Sequence, residues 1–218
     1  MRRALLLSLA LSLMLGARAS AQTCAGMPSF ANGQMQVGAG ATFADGGSSF
    51  VGSFGYGSPK SFYGKAGIGS TSYDGLDGSS FDLSLGGGYQ IPVQSHSTAQ
   101  ICPVANVTIS SGPNDLLGQG VDMSSRTFAF GAALGGQVGR NPRVQILPNA
   151  AFQFANSRIT LDDGTDSASG SESYGLLTLG TGFVFNSRYS LNPSVNIPVG
   201  LDGSSASFGL AGAINFGH

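Results

Sequence analysis

The sequence predicts an all-β fold: a closed antiparallel up-and-down transmembrane β-barrel. Three observations point there. Apolar residues alternate with small or polar ones through nearly the whole chain after residue 33. The alternating stretches are long for soluble strands and close to the ~10 residues that a tilted strand needs to cross a bilayer. Ten of them follow one another, punctuated by turn residues such as Asp45-Gly46-Gly47, Arg140-Asn141-Pro142 and Asn186-Ser187-Arg188. Ten strands is the favoured count and eight the alternative. Pro103, Pro148 and Pro193 fall inside stretches, where proline removes a ladder donor, and bulges would accommodate them.

The chain opens with Arg2 and Arg3, an apolar run from Ala4 to Leu15, and Ala19-Ser20-Ala21. That is the layout of a cleaved secretory signal peptide over residues 1–21. The run is too short to cross a bilayer as a helix. Residues 22–33 form an irregular periplasmic lead-in, and 34–218 the outer-membrane β-barrel domain. Cys24 invites a lipoprotein reading, but Ala21-Gln22-Thr23 ahead of it lacks the small residue such a signal places just before the cysteine.

The first stretch, Gln34 to Phe43, sets Met35, Val37, Ala39, Ala41 and Phe43 against Gln34, Gln36, Gly38, Gly40 and Thr42. The second carries Phe50, Phe54 and Tyr56 on its apolar side, and the third sets Phe62, Ala66 and Ile68 against Tyr63, Lys65, Gly67 and Gly69. In the fourth, Phe81, Leu83, Leu85, Tyr89 and Ile91 oppose Asp82, Ser84, Gly86, Gly88 and Gln90. In the fifth, Ala99, Ile101, Ala105, Val107 and Ile109 oppose Gln100, Cys102, Asn106 and Thr108. A long loop, 110–125, precedes the clearest hairpin, from Phe128 to Phe154. There Phe128, Phe130, Leu134, Val138, Ile146, Phe152 and Phe154 share one face. A second long loop, 156–173, is acidic. Leu177, Leu179, Phe183 and Phe185 mark the eighth stretch, Tyr189, Leu191, Val195 and Val199 the ninth, and Phe208, Leu210, Ile214 and Phe216 the tenth. Aromatic or apolar starts near Phe81, Phe128 and Leu176 repeat loosely with a period of about 47, as duplicated hairpins do.

Composition narrows the function classes. The chain has 35 glycines in 218 residues, no Trp and 10% charged residues, with a mean hydropathy slightly above zero. A disordered chain would be charge-rich and low in hydrophobicity. Without its leader the chain is net acidic, which disfavours nucleic acid as a partner. The acids collect in the odd-numbered connections, while Lys60, Arg140, Arg143 and Arg188 sit at the even-numbered, shorter ones. Short turns on one side and long loops on the other are the asymmetry of a membrane barrel. The apolar face carries no charge except Arg126 near a strand end, and aromatics gather in two bands at the strand ends, as interfacial girdles do. The competing fold is a soluble secreted β-sandwich whose core is that same face.

These features carry a resemblance. The signal peptide, the glycine-rich hairpin run Gly86-Gly87-Gly88-Tyr89-Gln90-Ile91-Pro92 and the final amphipathic strand ending Ala213-Ile214-Asn215-Phe216 resemble small bacterial outer-membrane β-barrel proteins, the OmpA-like and opacity-type barrels. The resemblance covers nearly all of the chain after its leader. It implies a Gram-negative cell envelope, outer-membrane lipids and the barrel-insertion machinery as partners, and a porin-like or structural role. Those barrels commonly have eight strands and end on an aromatic, whereas here Gly217 and His218 follow Phe216.

Chemistry-bearing residues are few. Lys65 and Asp82 are the clear mid-strand charges of the inward face, which is otherwise glycine, alanine, hydroxyls and amides. Such a lining either holds a narrow solute path or simply fills the barrel. His96 and His218, the only histidines, fall in a short turn and at the end, so no Ser-His-acid constellation forms and no catalysis is expected. Asp162-Asp163-Gly164-Thr165-Asp166 offers carboxylates for Ca²⁺, but its spacing departs from the usual calcium loop, which favours a solvated acidic loop. No metal or cofactor is expected. Cys24 and Cys102 would both lie toward the periplasmic side, where an oxidising compartment permits one disulfide; two unpaired thiols are the alternative. The expected function is a non-enzymatic outer-membrane barrel, structural or passively permeable to small solutes. The alternatives are a surface module that binds an extracellular ligand through loops 110–125 and 156–173, and a soluble sandwich.

Overall fold

In a computed structural model of the 218-residue chain, the residues described are 24, 35–58, 61–75, 78–93, 99–113, 120–138, 143–201 and 204–216. They form ten antiparallel strands: β1 (Met35–Ala44), β2 (Gly47–Gly57), β3 (Phe62–Tyr73), β4 (Ser79–Tyr89, with a short continuation Ile91–Pro92), β5 (Gln100–Ser111), β6 (Asp122–Gly135), β7 (Val144–Asp162), β8 (Ser167–Phe185), β9 (Tyr189–Val199) and β10 (Ser207–Phe216). Each strand pairs with its neighbours in sequence, and β1 pairs with β10 from Met35↔Phe216 to Phe43↔Phe208. The ring is therefore closed. Closure satisfies backbone donors and acceptors that an open edge would leave bare in hydrocarbon.

The alternation decides which side faces out. The apolar set points away from the axis and is exposed: Leu85 is 61% exposed, Phe62 and Ile68 59%, and Phe81 58%. The inward set is buried, with Gln36, Gln100, Ser80, Ser190 and Asn215 among it. A sandwich would bury the apolar face, so that alternative is excluded. Among the described residues, the outward charges of the strands are confined to Asp122, Arg126, Arg158 and Asp162, past the apolar band of β6 and β7. Aromatic contacts tie neighbouring strands at both ends of the band: Phe62 with Tyr89 (centroids 4.7 Å), Phe43 with Phe50 (6.2 Å) and Phe130 with Phe154 (5.8 Å).

Three expectations need correction. Residues 156–173 are not a loop. β7 and β8 are 19 residues each and pair without interruption from Val144↔Phe185 to Asp162↔Ser167, leaving only the turn 163–166. Ladder pairing overrides the turn-forming composition, helped by Asn156 Nδ2 donating to Ser173 Oγ (2.8 Å) and Arg158 Nη2 to Ser169 Oγ (3.0 Å). The longest connection, 112–121 between β5 and β6, lies at the end away from the termini, but that end also holds the tight turn Asp45–Gly46 and the other end the connection 136–143, so connection length alone does not separate the ends and the extra length of β7 and β8 does. Finally, Pro103 and Pro148 stand in register without bulges, and the ladder lapses at Pro193 but resumes with the same offset. At Pro148 the reason is plain. Its carbonyl accepts from Gly136 N (3.2 Å), and the pairing carries on in the same register to the isolated bridge Val138↔Ile146 (Val138 N to Ile146 O, 2.9 Å), so the missing N–H removes one bond where the β6–β7 ladder thins and shifts no register.

β6, β7 and β8 thus carry a three-stranded sheet beyond the rest of the barrel. The last β8–β9 pair is Gly175↔Val199, so among the described residues Ser167–Tyr174 has β7 on one side and no strand on the other.

Candidate functional site: the barrel lumen

Inside the ring lies a cavity of about 290 Å³ in the half nearest the termini, lined by Gln36, Tyr63, Lys65, Asn106, Asn149, Gln153 and Cys24 among others. Strand alternation puts these side chains there. Gln36 and Asn106 follow outward Met35 and Ala105, and Lys65 precedes outward Ala66. Neutral amides and hydroxyls bond to one another around the wall. Gln36 Nε2 donates to Asn215 Oδ1 (3.1 Å), Asn106 Nδ2 to Gln153 Oε1 (3.3 Å), and Thr178 Oγ1 to Asn196 Oδ1 (2.9 Å), whose Nδ2 donates to Ser207 Oγ (3.3 Å). Such satisfied pairs cost little to keep inside and present polar atoms to whatever occupies the cavity.

Glycine shapes the wall where large side chains meet it. A Cβ on Gly88 would fall 2.7 Å from both the Tyr63 hydroxyl and the Pro103 carbonyl oxygen. Its absence lets the Tyr63 ring lie flat against β4 instead of blocking the lumen.

Lys65 projects into this cavity, and among the described residues its ammonium has no hydrogen bond or ion pair. Asp82 is partnered: Thr71 Oγ1 donates to it at 2.6 Å and Ser80 Oγ at 3.1 Å. The two lumenal charges are not brought together. Lys65 faces Gly86 and Asp82 faces Gly69, four residues further along β3, which is about 13 Å of strand. The half of the lumen next to the termini therefore holds an uncompensated positive charge, and the far half a hydrogen-bonded carboxylate.

Cys24 and Cys102 form a disulfide with sulfurs 2.10 Å apart and Cα atoms 6.2 Å apart. Both are buried inside the ring (3% and 0% exposed) and pack with Ala133, Val104 and Ala151. Cys24 itself lines the cavity, so this residue from ahead of β1 is tethered inside the lumen. The inward amides could be found from alternation alone. The place of Cys24 could not, since residues 22–33 have no period.

The remaining sequence candidates divide. Asp163 Oδ1 is taken up within its own turn by Asp166 N (2.6 Å), Thr165 N (2.9 Å) and Thr165 Oγ1 (2.8 Å), so this carboxylate serves the turn. His96 and His218, the signal peptide 1–21, and the lead-in apart from Cys24 lie outside the described residues.

No protein-family model matches the chain, and no curated protein does. Solved structures do. The β domain of the Bordetella autotransporter BrkA superposes with a TM-score of 0.55 at 13% identity, covering 85% of this chain and 100% of that one. Ail, the attachment invasion locus protein of Yersinia pestis, matches with a TM-score of 0.45 at 13% identity, over 85% of this chain and 99% of that one. The N-terminal barrel domain of Pseudomonas aeruginosa OprF matches with a TM-score of 0.42 at 13% identity, over 85% and 98%. The BrkA superposition carries the likeness, and at 13% identity it is a likeness of architecture. In fold, this chain is a closed, all-antiparallel, ten-stranded β-barrel, the architecture of the outer-membrane barrel it superposes on.

Proposed function

We propose that the chain is an integral, non-enzymatic protein of the Gram-negative outer membrane whose narrow polar lumen admits small solutes. In this reading the termini face the periplasm and the β6–β8 projection faces outward. One observation carries it: the apolar face is turned outward all round a closed ring and bears no charge between its aromatic rows. Exposed in water, that surface would far exceed the apolar patches soluble monomers tolerate. Lipid covers it without cost, and outer-membrane lipids and the insertion machinery are the partners this requires. The lumenal half-cavity with its single unpaired lysine supports passage or retention of small anions over cations. The test has two parts. Detergent-extracted protein should show heat-modifiable gel mobility, as closed barrels do, and the same preparation should give small, steady conductance in planar bilayers. Mobility indifferent to heating would remove the barrel reading; heat-modifiable protein with no conductance would leave a purely structural barrel.

A second reading is favoured by the projection of β7 and β8 past the apolar band: a surface module that contacts an extracellular ligand. Shortening the hairpin by removing residues 159–170 should then abolish surface attachment while heat-modifiable mobility persists. Attachment that survives the deletion would dispose of this reading.

A further inference from the structure

Arg126 on β6 faces Arg158 on β7 directly, with Phe128↔Asn156 and Phe130↔Phe154 the next pairs of the same ladder face. Phe128 and Phe130 are exposed and outward, whereas Ala129 and Ala133 are buried. Strict alternation through an uninterrupted register therefore turns both arginines outward too, toward whatever surrounds the barrel. Directly opposed residues on one sheet face stand with Cβ atoms about 5 Å apart, and like charges so placed repel. Neither arginine has a carboxylate to relieve that repulsion. Arg158 donates to Ser169 Oγ (3.0 Å), and Arg126 has no partner among the described residues. Across the adjacent strands they meet Ile109 and Ser171. Glu172 falls on the opposite, inward side by alternation, and the nearest outward acids, the pair Asp122↔Asp162, lie four residues further out.

Height matters as much as charge. On β7 the outward apolar residues end at Phe154, four residues before Arg158, and on β6 they end at Phe128, two residues before Arg126, which also faces outward Ile109. At ~3.3 Å per residue and a tilt of ~45°, the pair stands roughly 5–9 Å beyond the last outward apolar side chains of its own strands, within reach of lipid headgroups. We propose that Arg126 and Arg158 form a binding site for the phosphate of an anionic lipid in the leaflet that faces away from the termini. Two guanidinium forks beside one another suit the planar, bidentate recognition of a phosphate. Phe128, Phe130 and Phe154, stacked below, give its acyl chains a wall. The site depends on the barrel being inserted in a membrane, as proposed above, but assigns a ligand which that reading does not require.

The test uses the full refolded barrel in zwitterionic micelles, with phosphatidic acid as the phosphomonoester lipid, diacylglycerol as its phosphate-free counterpart, and inorganic phosphate as the free anion. Heat-modifiable mobility is checked first for every variant, so loss of the barrel is separated from loss of the site. Phosphatidic acid should bind the native barrel at least tenfold more tightly than the variant carrying R126Q and R158Q. Diacylglycerol should not discriminate between them. The control carrying D122N and D162N, on the same face, should retain the lipid fully. Equal affinity of the native barrel and the arginine variant for phosphatidic acid overturns the proposal, as does an equal loss in the acidic control. Displacement of the lipid by inorganic phosphate at comparable concentration assigns the pair to the free anion and overturns the lipid assignment.

Discussion

Cys24 is disulfide-bonded to Cys102 on β5, and both half-cystines lie inside the ring. The bond holds Cys24 within the lumen, at the end through which a solute would enter from the terminus side. Replacing both residues by serine should free residue 24 from the wall and raise conductance in planar bilayers severalfold, with heat-modifiable mobility retained. The link spans 78 residues, so in the chain-entropy account its loss also lowers unfolding stability by about 4 kcal/mol. Unchanged conductance would show that the tether at Cys24 does not obstruct the path.

Lys65 sets the sign of the field in the cavity. In a salt gradient, the native barrel should show a reversal potential of anion preference, Lys65→Gln should bring it close to neutral, and Lys65→Glu should invert it. The effect should fade at high salt as screening shortens the reach of the charge. A reversal potential indifferent to all three residues would place the conducting path elsewhere.

Two glycines on the strands that flank β7 should respond differently to a methyl group. A Cβ on Gly131 would collide with the Phe152 carbonyl oxygen and stand 2.7 Å from Gln153 Cα, both backbone atoms of a paired strand. Gly131→Ala should cost about 1–3 kcal/mol, the range for overpacking. A Cβ on Gly175 would instead meet the edge of the Phe152 ring at 3.0 and 3.1 Å, and a ring facing lipid can swing aside. Gly175→Ala should cost less than about 1 kcal/mol. Urea unfolding in lipid vesicles measures both, and equal costs would contradict this account of the packing around Phe152.

Leu85 is 61% exposed at the middle of β4. In water, exchanging so exposed a leucine for arginine would change stability little. At mid-bilayer it costs about 2–4 kcal/mol. Unfolding of Leu85→Arg in vesicles therefore discriminates directly between lipid and water as the surroundings of this face.

The turn after β7 should respond to acid. Hydrogen bonds from the Asp166 and Thr165 backbones hold the Asp163 carboxyl below its usual range. A depressed folded-state value means that these bonds stabilise the turn above the unfolded carboxylate's value and are lost as pH falls through the folded one. The amide resonances of Thr165 and Asp166 should accordingly shift with a midpoint below the ordinary aspartate value of about 3.9. Asp163→Asn should remove that titration. A midpoint at or above the ordinary value would mean the carboxylate does not hold the turn.

The strand order, the outward face and the inward amides were legible because a period of two leaves no freedom: once Phe128 and Phe130 face out, Ala129 and Gly131 must face in. The projection was not legible. Ser157, Ser169, Gly170 and Ser171 are residues that favour turns and loops, and nothing local tells a serine-rich loop from a serine-rich strand whose partner is already in register. Pro148 misled in the other direction, because it sits where the β6–β7 ladder thins to single bonds, a fact about a different strand. The lumenal charges were found by alternation, but their separation along β3 required the register of β4. The arginine pair needed that of β6 against β7 in the same way.

An exterior bathed in fluid hydrocarbon asks only for oiliness. Leucine, valine and phenylalanine can replace one another there, since a liquid neighbour has no fixed shape to match. The crowded inner wall is different: a methyl group at Gly131 meets backbone. Half of each strand is thus free to drift in residue identity while the hydrogen-bonded hoop stays as it was. This accounts for a chain that superposes on another barrel at 13% identity yet matches no family profile.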